Sequence, residues 1–258
     1  MPGRFPPFIH NRLLACSQYA FDLYMGVSTR GMMRTSTDTY TSGSDNWPYL
    51  GAPWPALSFV LRGLKHEGTF VDLGSGKGKA MLIAARLPYR RVLGVEIDEE
   101  LAGIARRNIE RARLRFRSGP VECVVASVRD FKIPDDASTI FMYNPFFGET
   151  FRDAMRCVFD SYDRSPRDMH IVYSFPWEHE WLLSTGRVAV EAVGPEMWPA
   201  PPGWWNSEQV TVIYHVTAEG QTPAACQARK GWRLPARRRA LVRWRTPGGH
   251  TFVDPSTI

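Results

Sequence analysis

The sequence predicts an α/β chain: a doubly wound, seven-stranded, mostly parallel sheet with an antiparallel last strand, an N-terminal helical lid and a basic C-terminal extension. Three observations lead there. Between Thr69 and Val216, short apolar runs alternate with helical patterns, the signature of parallel βαβ units. One run, Thr69-Phe70-Val71-Asp72-Leu73, passes directly into Gly74-Ser75-Gly76-Lys77-Gly78 and then into the apolar helical stretch KAMLIAARL. The next run, VLGVEID, carries the carboxylate Glu96 at its end.

Taken in order, residues 1–65 form a lid segment rich in Pro, Gly, Ser, Thr and aromatics, with helices predicted over 11–24 and 55–64. Between them TRGMMRTSTDTYTSGSDNWPY has no periodicity and reads as a loop or lid. Residues 66–216 form the sheet domain. Its strands are predicted over 69–73, 91–96, 121–126, 138–143, 169–174, 188–193 and 209–216, and its helices over 78–87, 99–113, 148–160 and 177–184. The last two strands lack an intervening helix, which predicts an antiparallel hairpin whose loop carries Trp198, Trp204 and Trp205. Residues 217–258 form the extension, where ALVRWR, TPGG and HTFV read as a small hairpin around a glycine-containing turn.

Composition narrows the function classes. The chain has 258 residues, 44% hydrophobic and 22% charged, as expected of one globular α/β domain with appendages. No run approaches the roughly 18 apolar residues of a membrane span. Pro6, Pro7, His10, Asn11 and Arg12 interrupt any signal-peptide core, so an intracellular, cytoplasmic location is expected. Cys16, Cys123, Cys157 and Cys226 form no CxxC pair, the six histidines are dispersed, and no metal site is expected. The basic charge is concentrated: Gly220 to Val253 holds eight Arg or Lys and no Asp or Glu, against 32 and 26 in the whole chain.

Spacing separates three nucleotide-binding readings of the glycine segment. A dinucleotide fingerprint starting at Gly74 requires glycine at position 79, where Lys79 stands. A P-loop requires GxxxxGK followed by Ser or Thr, which no glycine here satisfies. What remains is a GxGxG loop preceded by an acid, whose glycines let backbone approach a ligand where side chains would collide. Glu96 follows Gly74 by 22 residues, where a Rossmann-like fold places a carboxylate to accept protons from both ribose hydroxyls.

VDLGSGKGK, GVEIDEELAGIARRNI, VECVVASVRDF and TIFMYNPFFGE resemble, in order and spacing, the first four motifs of class I S-adenosylmethionine-dependent methyltransferases. FDLYMGVSTRG and NWPYLGAPW also resemble the lead-in of a bacterial group of such enzymes with unassigned substrates. The resemblance implies S-adenosylmethionine as cofactor. It further implies that Asp72 and the backbone of Gly74, Ser75, Gly76 and Gly78 hold its methionine end, and Glu96 its ribose. Ser127 stands where many family members have an Asp that bonds the adenine amino group, a departure from the pattern. Tyr143 and Asn144 are expected near the sulfonium, and Tyr49 over the amino-acid end.

Asn144-Pro145-Phe146-Phe147 resembles the Asn-Pro-Pro-Tyr or Asn-Pro-Pro-Phe motif of amino-methyltransferases, with one proline instead of two. This makes Asn144 the candidate catalytic residue. The other reading is that Pro145 ends the strand while Phe146 and Phe147 cap the core. Asp38, Tyr40, Glu178 and His179 are candidate bases by location, and Trp47 and Trp54 candidate walls of an acceptor pocket. The expected activity is methyl transfer to a nitrogen or oxygen nucleophile of a small molecule. Alternatives are a macromolecular amino group, in a protein or in nucleic acid recruited by the basic tail, and a catalytically silent cofactor-binding subunit. No membrane partner is expected, and the sequence carries no sign of oligomeric state.

Overall fold

The computed structural model describes residues 16, 18–38, 42–52, 54–195, 210–220, 244–245 and 251–252. A helix over 18–25 (α1) leads to a short ribbon in which β1 (Met32–Met33) pairs antiparallel with β2 (Tyr49–Leu50). Then follow α2 (Trp54–Arg62), β3 (Thr69–Leu73), α3 (Lys79–Ala84), β4 (Arg91–Glu96), α4 (Glu99–Arg111) and β5 (Val121–Val125). The second half contains β6 (Ala137–Tyr143), α5 (Gly148–Arg164), β7 (His170–Ser174), α6 (His179–Ser184), β8 (Val188–Pro195) and β9 (Val210–Val216).

The main sheet runs β5-β4-β3-β6-β7-β9-β8, parallel from β5 through β7 and antiparallel at both contacts of β9. This is the doubly wound, seven-stranded sheet the sequence predicts. β3, β6 and β7 lie in its interior, and every residue of β3 and β7 is buried, because helices cover both faces of a parallel sheet. The edge strand β5 is more open, with Cys123 buried and Glu122 and Val125 exposed. Alternate side chains feed two cores. Phe70, Val92, Phe141, Val172 and Ile213 join α1, α2 and α3 on one face, whereas Val71, Leu73, Val95, Ile140 and Met142 join α5 on the other. Winding proceeds outward from β3 through β4 to β5, and in the opposite direction from β6 to β7. A crevice therefore opens at the carboxyl ends of β3 and β6, the switch point where α/β sheets bind ligands.

Several boundaries shift for local reasons. α3 ends at Ala84, short of the predicted residue 87, because Arg86 and Leu87 bond back three residues into tighter turns ahead of Pro88. α5 runs one turn past the predicted residue 160, since Tyr162 packs on the core and the Ser161 hydroxyl donates to Pro134 O. α4 begins as capping rules require, with Asp98 accepting from Leu101 N at 3.0 Å and Glu99 and Glu100 in the first turn. The tail pairs Trp244 with Phe252 in an antiparallel ribbon of β10 (Trp244–Arg245) and β11 (Thr251–Phe252), as predicted. Residues 11–15, Tyr40, Cys226, Trp198, Trp204 and Trp205 lie outside the described residues. Among those described, no helix is long and apolar enough to cross a membrane.

Candidate functional site

At the switch point lies a cavity of about 440 Å³, bordered by Asp72, Gly74, Ser75 and Gly76 on one side and Glu96 and Ser127 on the other. Its volume is that of a small-ligand site. Gly76 takes φ 53°, and a Cβ there would run into the Tyr49 ring, so glycine is required for the loop and Tyr49 to touch. Tyr49 is anchored in turn by its hydroxyl, which donates to Thr29 O at 2.6 Å. Thus the structure brings Tyr49, Asp72, Gly74, Ser75, Gly76, Glu96 and Ser127 to one cavity, whereas Gly78 serves as the cap of α3 behind it.

The loop's backbone donors are committed to the protein itself. Gly74 N and Ser75 N donate to Val95 O at 2.9 and 3.1 Å, and Gly78 N to Ser75 O at 2.8 Å. Gly76 N donates to Glu96 Oε2 at 2.7 Å, while Glu96 Oε1 accepts from Asp98 N at 3.0 Å. A carboxylate has about four lone-pair sites, so Glu96 retains capacity for a hydroxyl donor beside its backbone bonds. Burial raises the Glu96 pKa, and its hydrogen bonds to backbone oppose the rise. Burial also raises Asp72 well above the usual carboxylate range, and the nearby Glu96 adds to the effect. Ser127 Oγ accepts from Arg129 N at 3.2 Å and so shapes the turn after β5.

The roof comes from the N-terminal segment. Trp47 N donates to Pro145 O at 2.8 Å, Phe147 N to Asp45 O at 3.0 Å, and Asn46 bridges Phe146. Asp45 Oδ2 accepts from Thr150 N at 3.2 Å, so a residue of the predicted lid caps α5. The Trp47 ring packs against Phe147 and Trp177 at centroid distances of 5.3 and 5.0 Å.

Asn144 takes φ 40° beside this roof, and its Oδ1 accepts from the Tyr173 hydroxyl at 3.1 Å. It is adjacent in sequence to two cavity residues, Tyr143 and Pro145, without lining the cavity itself. Phe146 is 2% exposed and packs on Phe151. The described candidate bases sit in structural settings. Asp38 is fully buried and accepts from Thr35 N, and Glu178 Oε1 accepts from Gly148 N at 2.8 Å. His179 contacts the Tyr214 hydroxyl through Nδ1, and burial lowers its pKa to about 3. Trp54 packs on Phe21, 5.8 Å between centroids.

Two groupings could not be seen along the chain. The β7–β9 register sets His170 opposite His215, and Asp168 Oδ1 lies 3.3 Å from His215 Nε2 and 3.7 Å from His170 Nε2. Lys65 lies 3.0 Å from Asp168, and Glu191 lies 2.7 Å from His170 Nε2. The other is Lys79, a cavity-wall residue only 2% exposed. In the sequence it stands where a dinucleotide fingerprint starting at Gly74 would require glycine.

Residues 70–164 match the family model described as a methyltransferase domain. The match covers 95 of the 258 residues. It spans β3 through α5 and contains every predicted cofactor residue except Tyr49. The class I fold and S-adenosylmethionine as cofactor agree with what the motifs imply. The chain is 39% identical over 66 residues to the mouse adenine nucleotide translocase lysine N-methyltransferase, covering 25% of this chain and 29% of that protein. It is 32% identical over 80 residues to the ribosomal protein L11 methyltransferase of Aquifex aeolicus, covering 30% and 31%. The chain therefore spans less than a third of either curated relative. Among solved structures it is similar to the YcgJ protein of Bacillus subtilis, with TM-score 0.47 and 12% identity over 64% of this chain and 99% of that one. It is also similar to a TehB-like S-adenosylmethionine-dependent methyltransferase from Corynebacterium glutamicum, with TM-score 0.45 and 13% identity over 65% and 89%.

The residues present suit the cofactor. The matched segment offers backbone at Gly74 and Gly76 where a Cβ would collide with Pro145 or Tyr49, carboxylates at Asp72 and Glu96, and a buried ammonium at Lys79.

Proposed function

We propose that the chain is a cytoplasmic S-adenosylmethionine-dependent methyltransferase acting on a nitrogen or oxygen nucleophile of a small molecule. In this reading residues 1–65 form its lid, 66–216 the catalytic domain and 217–258 a basic extension. The observation that carries it is the cavity at the switch point, walled by Asp72, Gly74, Gly76 and Glu96 inside a methyltransferase domain.

When bound, S-adenosylmethionine supplies a methyl group activated by a positive sulfonium. The chain's own work is then binding, alignment and exclusion of water, which account for much of the rate of an in-line displacement. Glu96 holds the ribose with the lone pairs its backbone bonds leave over. Asp72 faces the amino-acid end, Ser127 the base, and Tyr49 closes over the glycine loop. Trp47, bonded to Pro145, keeps water from the place where acceptor and methyl meet, and Asn144 positions the acceptor nitrogen or oxygen once it releases Tyr173. A small acceptor suits a cavity roofed by a segment that is hydrogen-bonded down onto Pro145 and Phe147.

A second reading is methylation of a protein side chain. It is supported by the two curated relatives, whose names give a lysine of the adenine nucleotide translocase and ribosomal protein L11 as substrates. Titration calorimetry with S-adenosylmethionine, with NADH as control, tests the common core of both. Micromolar binding of S-adenosylmethionine alone supports it, and no binding overturns it. Activity toward an identified acceptor then separates the readings, since binding of a charged macromolecule weakens steeply with salt and that of a small acceptor does not.

A further inference from the structure

Lys79 opens α3, and the other five residues of that helix are Ala80, Met81, Leu82, Ile83 and Ala84, all buried. An aliphatic side chain would satisfy this position on packing grounds. Instead the chain keeps an ammonium here whose Nζ has no hydrogen-bond partner. Its nearest compensation is the face of the Phe21 ring, 5.1 Å from Nζ to the centroid. Burial lowers its pKa to about 8, and the charge of Asp22 opposes the shift. Asp22 is itself occupied by Thr29 N, Thr29 Oγ1, Arg30 N and Arg30 Nε. An ammonium has three donors, and burying one without an acceptor is costly, so a site that retains one is suited to an anion.

The direction of that anion is set by the cavity. Lys79 lines it together with Gly74, Ser75, Gly76 and Ala80, at the end where the methionine portion of the cofactor belongs. The N–H groups of Gly74, Ser75, Gly76 and Gly78, which the sequence alone would assign to this task, all donate within the protein. A carboxylate entering there meets buried acids at Asp72 and Glu96 and finds its cation at Lys79.

We propose that Lys79 anchors the carboxylate of the cofactor's amino-acid end, a step that rests on the cofactor reading above. The complex gains a charge-assisted hydrogen bond in a water-excluded site, the kind that distinguishes strongly between ligands with and without the charge. A consequence is selectivity: ligands that keep the adenosine and thioether but lack the carboxylate gain nothing from Lys79.

The test uses calorimetry with two probes, S-adenosylhomocysteine, which has the carboxylate, and 5′-methylthioadenosine, which does not. Both are titrated into the wild-type chain and Lys79→Met, and the ligand-free proteins are melted in parallel. Lys79→Met should weaken S-adenosylhomocysteine about tenfold or more and leave 5′-methylthioadenosine within about twofold. Its ligand-free melting temperature should hold or rise, because a buried unpaired charge is removed. Equal weakening of both probes, unchanged binding of S-adenosylhomocysteine, or a lower melting temperature with no selective loss would overturn the assignment. Lys79→Gln repeats the comparison if the Met variant does not fold. A wild type that binds neither probe overturns the cofactor reading, and this proposal with it, which separates that failure from a failure of Lys79 alone.

Discussion

Gly76 N donates to Glu96 Oε2 at 2.7 Å, so the carboxylate at the end of β4 holds the turn of the glycine loop that leaves β3. The parallel register that sets Leu73 beside Val95 makes this bond possible. Glu96 thereby has a structural duty in addition to any duty toward a ribose.

Both duties are lost in Glu96→Ala. S-adenosylmethionine affinity should fall by about 1–3 kcal/mol from the lost charge-assisted bonds. Calorimetry checks this, and unchanged affinity would place the ribose elsewhere.

At Gly76 the backbone is left-handed and the space for a Cβ is filled by Tyr49. Gly76→Ala should therefore destabilise the chain by about 1–2 kcal/mol from conformation alone and displace Tyr49, weakening cofactor binding further. Urea denaturation and titration of the same sample measure the two effects. Full retention of affinity would separate the loop from the ligand.

The raised pKa values of Asp72 and Glu96 give a sign for pH. An acid whose folded pKa is raised contributes stability below its unfolded value, and that contribution is lost as pH rises through the folded value. Ligand-free Asp72→Asn should thus melt above wild type at pH 7, with the gap closing as the pH falls toward about 4. A constant gap across this range would mean that Asp72 does not titrate as its burial requires.

His179 has the opposite sign. Its pKa is lowered to about 3 by burial, so the stability it contributes is present above about pH 6.5 and is lost as the pH falls. His179→Gln should flatten the loss of stability between pH 6 and 4 in thermal melts. An unchanged acid limb would show that His179 is reached by water.

Asp45 caps α5 from the N-terminal segment, and Asp45→Ala should cost about 1 kcal/mol of stability. Equilibrium unfolding in urea reads this directly. No loss would mean that the lid does not rest on the helix terminus in solution.

Much of the site was legible because it is local. The run from Thr69 through Gly78 is a strand, a turn and a helix start in one continuous stretch, and Glu96 lies one βαβ unit away at a fixed spacing. By itself the sequence determined the seven strands, their alternation with helices, the glycine loop and its acids, since apolar period and glycine placement act over a few residues. Tertiary structure alone decided that Asp45 and Trp47 would roof the crevice, that Asn144 would bond Tyr173, and that His170 would face His215. Those contacts join residues 29 to 105 positions apart, and no local pattern encodes which distant groups a buried donor will meet. The state of Lys79 belongs to the same class. Its charge is written in the sequence, but its burial without a hydrogen-bond partner follows only from how the chain closes around α3.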